Sequence, residues 1–140
     1  MLALTFQIGD NRLALDIRRV REVVPRVELR RAANAPAWLA GELVYRGRPV
    51  AVLDLHVLLG AGECPPHLSS RIILVPNGDG LLGLLAAQVA DIREIEPPSD
   101  APVAGSLGQA VVEGGSLLHL LDLPRLLPAP ARALLAGDGA

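Results

Sequence analysis

The sequence predicts an all-β domain built as two small barrels packed together. Three observations predict it. Short β-branched and aliphatic runs recur along the chain, punctuated by Gly, Pro or Asp. A unit of nearly half the chain occurs twice. The runs are also apolar enough to need closed sheets, because closure leaves no sticky edge exposed.

The elements follow in order. "LALTFQIG", Leu2 to Gly9, alternates apolar with small or polar residues and meets a turn at "GDN". "RLALDI" follows with Leu13, Leu15 and Ile17 at period two, so the pair reads as a hairpin. "VREVV", ending at Pro25, is a further short strand, and "VELRR" continues its alternation until "NAPAW" breaks it at Pro36. Then come "GELVYRG", "RPVAVLDL", "RIILVPN", "GLLGLLAA" and "VADIREI", and after a loop "QAVVE" and "SLLHLL". Two short helices interrupt this pattern. "DLHVLLG" starts at Asp54, a good N-cap, and stops at Gly60. "DLPRLLP" starts at Asp122, with Pro124 in its first turn, and stops at Pro128. On capping alone, Asp54→Ala is expected to cost about 1 kcal/mol.

The repeat has two parts. "GELVYRGRPVAVLDLHVLL" resembles "GQAVVEGGSLLHLLDLPRLL" once one insertion is allowed. Gly41, Gly47, Asp54, Leu58 and Leu59 then match Gly108, Gly114, Asp122, Leu126 and Leu127. Likewise Gly9, Asp10, Leu13, Leu15 and Val20 match Gly78, Asp79, Leu82, Leu84 and Val89. One domain is therefore expected over residues 1–140, with a first half centred on 10–60 and a second on 75–127, exchanging strands. The expected loops are Ala61 to Ser70 and Glu96 to Gly108, and a tail over 129–140 frays at its end.

Composition narrows the function. With 140 residues and 51% hydrophobic content the chain can bury a real core, and at 2% aromatic residues Leu, Val, Ile and Ala must fill it. All 13 basic residues are arginine, which excludes a P-loop lysine, a Schiff-base lysine and a lysine general base. The net charge of −2 and scarce aromatics disfavour nucleic-acid binding. Cys64 is the only cysteine, so no intrachain disulfide forms. The opening residues lack a basic n-region, and no uncharged run is long enough to span a bilayer. A soluble cytoplasmic protein is expected.

The ordered motifs resemble the CheW-like chemotaxis coupling domain over nearly the whole chain. They are "FQIGDNRLALDIRRVREVV", the Pro-aromatic step "NAPAWLAG", and "VYRGRPVAVLDL" in place of the family's asparagine-leucine-arginine-glycine hallmark. The resemblance implies two interlocked five-stranded SH3-like barrels and a non-catalytic adaptor. Such an adaptor ties the CheW-like regulatory domain of a chemotaxis-type histidine kinase to the cytoplasmic tip of a methyl-accepting receptor. It acts without cofactor or metal, beside membrane receptor arrays. No kinase, dimerisation or receiver segment is present, so the stand-alone adaptor is the form implied. The chain departs from the pattern at Val44 and Tyr45, at Ala51 where a proline is common, and at Ala87-Gln88 where relatives carry Asp-Gly. Tyr45 points to a receptor of its own, in surface sensing rather than swimming chemotaxis.

Arg46 and Gly47 head the candidate partner-binding residues. Arginine offers a planar fork of five donors, and glycine permits a tight turn and close approach. Their plain reading is an exposed turn. The second half reads "VEG", with Glu113 aligned to Arg46, so the turn itself requires only the glycine. The resemblance places Arg46 and Gly47 at the receptor contact, with Gly41, Val20 and Glu22 near partner surfaces. Val20 also reads as core, and Glu22 as a solvated strand residue. Tyr45 is amphipathic, as interface aromatics are. Together they predict a groove between the barrels that takes a receptor helix along Arg46 and the apolar edge at Tyr45, and a separate barrel surface for the kinase.

Other constellations are weaker. The six arginines from Arg18 to Arg31 read as the solvated face of two strands, and as a basic edge for an acidic helix. A nucleic-acid- or peptide-binding β-barrel adaptor is the alternative. Asp54, His56, Cys64 and His67 lack a standard zinc spacing, and no nucleophile elbow accompanies them, so a small metal-dependent hydrolase is the remote reading. Trp38 reads as a core plug where the halves meet.

Overall fold

A computed structural model describes residues 1–97, 109–127 and 129–134. Ten strands form two five-stranded sheets. They are β1 (Leu2–Ile8), β2 (Asn11–Asp16), β3 (Glu22–Pro25), β4 (Leu39–Tyr45), β5 (Arg48–Asp54), β6 (Arg71–Asn77), β7 (Gly80–Ala86), β8 (Val89–Glu94), β9 (Ala110–Glu113) and β10 (Ser116–Leu120). The first sheet runs β8-β1-β2-β10-β9 and the second β3-β6-β7-β5-β4. Replacing each strand by its repeat partner turns one order into the other. Each sheet therefore takes a hairpin from one repeat and its flanking strands from the other. The seams between β2 and β10 and between β7 and β5 are parallel, whereas every other pairing is antiparallel.

The "RIILV" and "GLLGLLA" runs are continuously apolar because both faces of these strands are buried. Ile73, Val75, Leu82 and Leu84 meet Leu4, Phe6, Ile8, Leu13 and Leu15 in a central core between the sheets. The alternate residues Ile72, Leu74 and Leu85 point the other way, into the second barrel with Val50 and Val52. The interior of the first barrel is smaller, built on Ala3, Ala14, Ile95 and Leu118. Gly83 lets the parallel seam close, since a Cβ there would lie 2.9 Å from the Val52 side chain.

Three expectations change. "VELRR" is not a strand; it contributes only a bridge at Arg30, whose amide donates to the Glu42 carbonyl at 3.0 Å and whose carbonyl accepts from the Glu42 amide at 2.8 Å. Of the arginine run, Arg18 and Arg19 consequently sit in a 3₁₀ turn (Ile17–Arg19) rather than on a strand. Trp38 is half-buried against the central core instead of plugging it. The tail includes a helical turn, Ala129–Arg132, with Ala131 buried in that core. The remaining tail residues, and Gly108 with most of the Glu96 to Gly108 loop, lie outside the described residues. The two expected helices are single turns, α1 (Leu55–Leu58) and α2 (Leu123–Leu126), capped by Asp54 and Asp122.

Asp54 does more than cap. Its buried carboxylate accepts from the amides of His56 at 2.9 Å and Val57 at 3.4 Å, and its second oxygen accepts from the Cys64 amide at 2.9 Å. That last bond pins the Ala61 to Ser70 loop. Asp54→Ala strands a buried amide as well as the cap, so the expected loss rises to about 2–3 kcal/mol by denaturant unfolding.

Neither hydrogen-bonded ladder closes; side chains tie the edges instead. In the first sheet Glu113, at the end of β9, accepts from Arg93 of β8 at 2.7 and 2.9 Å and from Arg12 of β2 at 2.9 Å. These guanidiniums, Arg93 foremost, lower the Glu113 carboxyl from 4.5 to about 2. A depressed carboxyl stabilises the fold above its unfolded value and loses that contribution as pH falls through its folded value. Stability should therefore fall between about pH 4.5 and pH 2. In Glu113→Gln this part of the acid limb should flatten in pH-dependent chemical denaturation.

Candidate partner-binding site

The β4–β5 hairpin sets the site. Tyr45 pairs with Arg48, which leaves Arg46 and Gly47 as a two-residue turn. Their φ values are 49° and 79°, the left-handed pair of a type I′ hairpin turn. Gly47 takes this conformation freely, and a Cβ there would meet nothing within 4 Å. Arg46 takes it at a cost of about 1–2 kcal/mol, because its Cβ crowds the backbone.

The repeat shows what the turn needs. In the first sheet Glu113 pairs with Ser116, so Gly114 and Gly115 form the turn, at φ 56° and 81°. The expected alignment of Glu113 with Arg46 is therefore one residue out: Gly114 answers to Arg46, Gly115 to Gly47 and Glu113 to Tyr45. The insertion falls before the turn, not after it. Both positions favour glycine, and the first barrel's turn is glycine throughout. Arg46 stands at a position where glycine is easier.

Tyr45 and Glu22 are brought together by the curl of the second sheet. Their strands, β4 and β3, are its opposite edges, and a flat sheet would hold them far apart. Yet the Tyr45 hydroxyl donates to the Glu22 carboxylate at 2.5 Å. This bond is the counterpart of the Glu113–Arg93 tie. Hydrogen bonding to Glu22 pushes the Tyr45 phenol above its ordinary range, and burial adds to the effect. The Arg46 guanidinium lies 5.2 Å from the centre of the Tyr45 ring, a cation–π contact. Among the described residues no carboxylate pairs with Arg46. Its side chain is exposed.

The remaining candidates separate. Gly41 is buried at φ 146°, next to a bulge between Leu39 and Gly41. A Cβ there would lie 2.8 Å from the Arg30 carbonyl oxygen and 2.8 Å from the Leu29 Cβ, so Gly41 admits the Arg30 bridge. Val20 is half-buried against the central core. The groove between the barrels lies elsewhere than expected. A cleft of about 700 Å³ is lined by Leu15, Val75 and Leu120, with Arg18, Arg19 and Arg125 among its rim residues; Tyr45 and Arg46 are not part of it. Arg18 is tied to Asp16 at 2.7 Å.

Sequence reasoning missed one surface. Val112 is 71% exposed and pairs with Leu117, 44% exposed, while Val44, 76% exposed, pairs with Pro49. These outward apolar pairs are repeat equivalents. Their signal was the alternation in "AVVE" and "ELVY", which sends every second residue outward.

His56, Cys64 and His67 each have structural partners. The His56 Nε2 accepts the Ala87 amide at 3.0 Å, Cys64 is buried, and the His67 Nδ1 faces the Ser69 hydroxyl at 2.7 Å. Among the described residues no three His, Cys, Asp or Glu side chains converge on a metal position, and no helix is long and apolar enough to cross a membrane.

Two curled, strand-exchanged sheets with an exposed arginine turn and two exposed apolar pairs define a module of two packed β-barrel halves. Comparison with known proteins gives the family. The CheW-like domain model matches residues 2–131, and the chain belongs to the CheW-like domain family. It is 26% identical to the chemotaxis protein CheW of Rhizobium meliloti (strain 1021) over 139 residues, covering 92% of this chain and 88% of that protein. It is 29% identical to protein FrzA of Myxococcus xanthus over 131 residues, covering 87% and 82%. Its fold is that of the scaffolding protein TtCheW from Thermoanaerobacter tengcongensis, with a TM-score of 0.73 at 23% identity over 86% of this chain and 88% of that one.

Relieving the backbone at Arg46 should be measurable. Arg46→Gly is expected to stabilise the fold by up to about 1 kcal/mol, the released left-handed cost less the added chain entropy of glycine. A drop in the denaturation midpoint would mean that the Tyr45 ring contact outweighs that cost.

Proposed function

We propose that this chain is a non-catalytic scaffold coupling a methyl-accepting chemotaxis-type receptor to a histidine kinase, in a chemosensory or surface-sensing complex. One observation carries the receptor side: Arg46 holds a left-handed turn position that its repeat counterpart fills with glycine. Such an outlier at an exposed, unpaired cation supports a functional role. Arg46 clamps carboxylates or carbonyls on the receptor tip helix, and Gly47 leaves room for that helix to approach. Tyr45 and Glu22 aim the arginine from below. Gly41 and Val20 act at one remove, by fixing the hairpin and the 3₁₀ turn.

The separate cleft lined by Leu15, Val75 and Leu120 carries Arg19 and Arg125 against one carboxylate, Asp122, a small net basic balance that favours an acidic segment. The kinase's CheW-like regulatory domain docks on the other barrel, where the Val112–Leu117 pair supplies exposed apolar surface. The protein works in the cytoplasm beside membrane receptor arrays, where many modest contacts act together.

A pull-down from lysate of the source cells tests this reading. Wild-type protein should recover a methyl-accepting receptor and a histidine kinase. Arg46→Glu should lose the receptor, keep the kinase and melt no lower than wild type. Recovery of neither partner by the wild type would sink the scaffold reading, and unchanged receptor recovery by Arg46→Glu would remove Arg46 from the site.

A further inference from the structure

The chain crosses between the barrels twice, from β2 to β3 and from β7 to β8, and the second crossing is the short one through Ala87 and Gln88. Gln88 takes φ 51°, the left-handed region that glycine occupies most readily. The connection is held from outside. The Ala87 amide donates to the Nε2 of His56 in α1, 4% exposed, at 3.0 Å. Ser69 receives the Val89 amide on its carbonyl at 3.3 Å. An acceptor Nε2 carries no proton, so the ring is neutral with its proton on Nδ1. Protonation would place a second hydrogen on Nε2 facing the Ala87 N–H, and the bond would be lost.

Three groups from the packed elements bear on this ring. Asp54, at the end of β5, favours the charged form, and Arg26, on the segment after β3, opposes it. Cys64, in the pinned loop, lies against the same Ala87 amide. Burial is the largest influence and pulls the imidazole below 6.5. A cleft of about 300 Å³, lined by Arg26, Glu63, Asp54 and Cys64, brings solvent to this corner.

We propose that His56 is a proton-operated latch on the short crossing between the barrels. Neutral, it holds the Ala87 amide and the strained Gln88 turn. Protonated, it frees both, and this crossing loosens locally while the β2–β3 crossing and the shared core still hold the barrels together. The sign follows from the lowered imidazole: the latch is intact above pH 6.5 and opens as pH falls through the folded-state titration. Under the scaffold reading, on which only this consequence rests, acidification would weaken the coupling between the barrels that bear the two partner surfaces.

Hydrogen exchange and histidine nitrogen shifts of the free, full-length chain test the latch without any partner. As pH falls below 6.5 the protection factor of the Ala87 amide should fall by up to about tenfold per pH unit, levelling off once the folded-state His56 titration is passed. The Ile73 amide in the β6–β7 ladder should keep its protection. In His56→Gln, whose carbonyl can accept the same amide without titrating, the Ala87 profile should be flat. Three results would overturn the proposal: Ala87 protection independent of pH in the wild type, Ala87 and Ile73 opening together, or a pH dependence that persists in His56→Gln. Each is distinct from failure to recover a receptor or kinase, which bears on the scaffold reading alone.

Discussion

The packing of one hairpin on another governs the rest of the molecule. β1–β2 and β6–β7 press their outward faces together through Leu4, Phe6, Leu13, Ile73, Leu82 and Leu84. A strand that buries its outer face still has an inner face to cover, and the inner face of β6–β7 is also apolar. Each hairpin therefore needs further strands curled over its inner side. The neighbouring sequence cannot supply them all from one repeat, because both hairpins are already committed to the shared core. The parallel seams β7–β5 and β2–β10 solve this by exchange. Separating the halves would expose both faces of four strands at once, which makes the pair of barrels a single cooperative body.

Curling leaves two edges per sheet that do not complete a ladder, and the chain ties them with side chains rather than backbone. The tie leaves the same place in each repeat, the last residue before the turn, and reaches the opposite edge strand. Glu113 does it with charge, to Arg93 and Arg12. Tyr45 does it with a phenol, to Glu22. This difference determines what the neighbouring turn can do. A carboxylate tie leaves no face on which a cation could rest, and the turn beside it is two glycines. An aromatic tie offers a ring, and Arg46 lies over it. The substitution of Tyr45 for the family's leucine is thus the condition under which this Arg46 is braced while it makes no ion pair among the described residues.

Much of this was legible in the residues. Hairpins with Gly-Asp turns, the caps at Asp54 and Asp122, and the doubling of the chain all rest on short-range chemistry that a sequence displays directly. The continuous apolar runs at β6 and β7 signalled strands covered on both sides. The register of the second turn was not legible, because Gly114 and Gly115 each fit as the matching glycine and only the Glu113–Ser116 pairing chooses between them. The fate of "VELRR" was also hidden. Its alternation is that of a strand, but its partner edge is available only at Glu42, where Gly41 lets the backbone approach. Tyr45, Arg46 and Glu22 were each named from the sequence. That they form one cluster depends on sheet curl, a long-range property with no local signature.

Two non-glycine residues among those described stand in the left-handed region, Arg46 and Gln88. Arg46 stands in a hairpin turn and Gln88 at a crossing between the barrels, and each has a side chain beside it: the Tyr45 ring braced by Glu22 in one case, the His56 imidazole on the neighbouring Ala87 amide in the other. Strain of about 1–3 kcal/mol at such a residue persists only where its surroundings over-determine it. The surroundings differ in what can undo them. The brace under Arg46 is exposed on its outer side, so a partner's groups can compete for the guanidinium directly. The brace on Gln88 is buried, so a partner cannot reach it, but a proton can. On the two proposals, one strained turn reads a partner surface and the other the solvent, and both are anchored to the shared core.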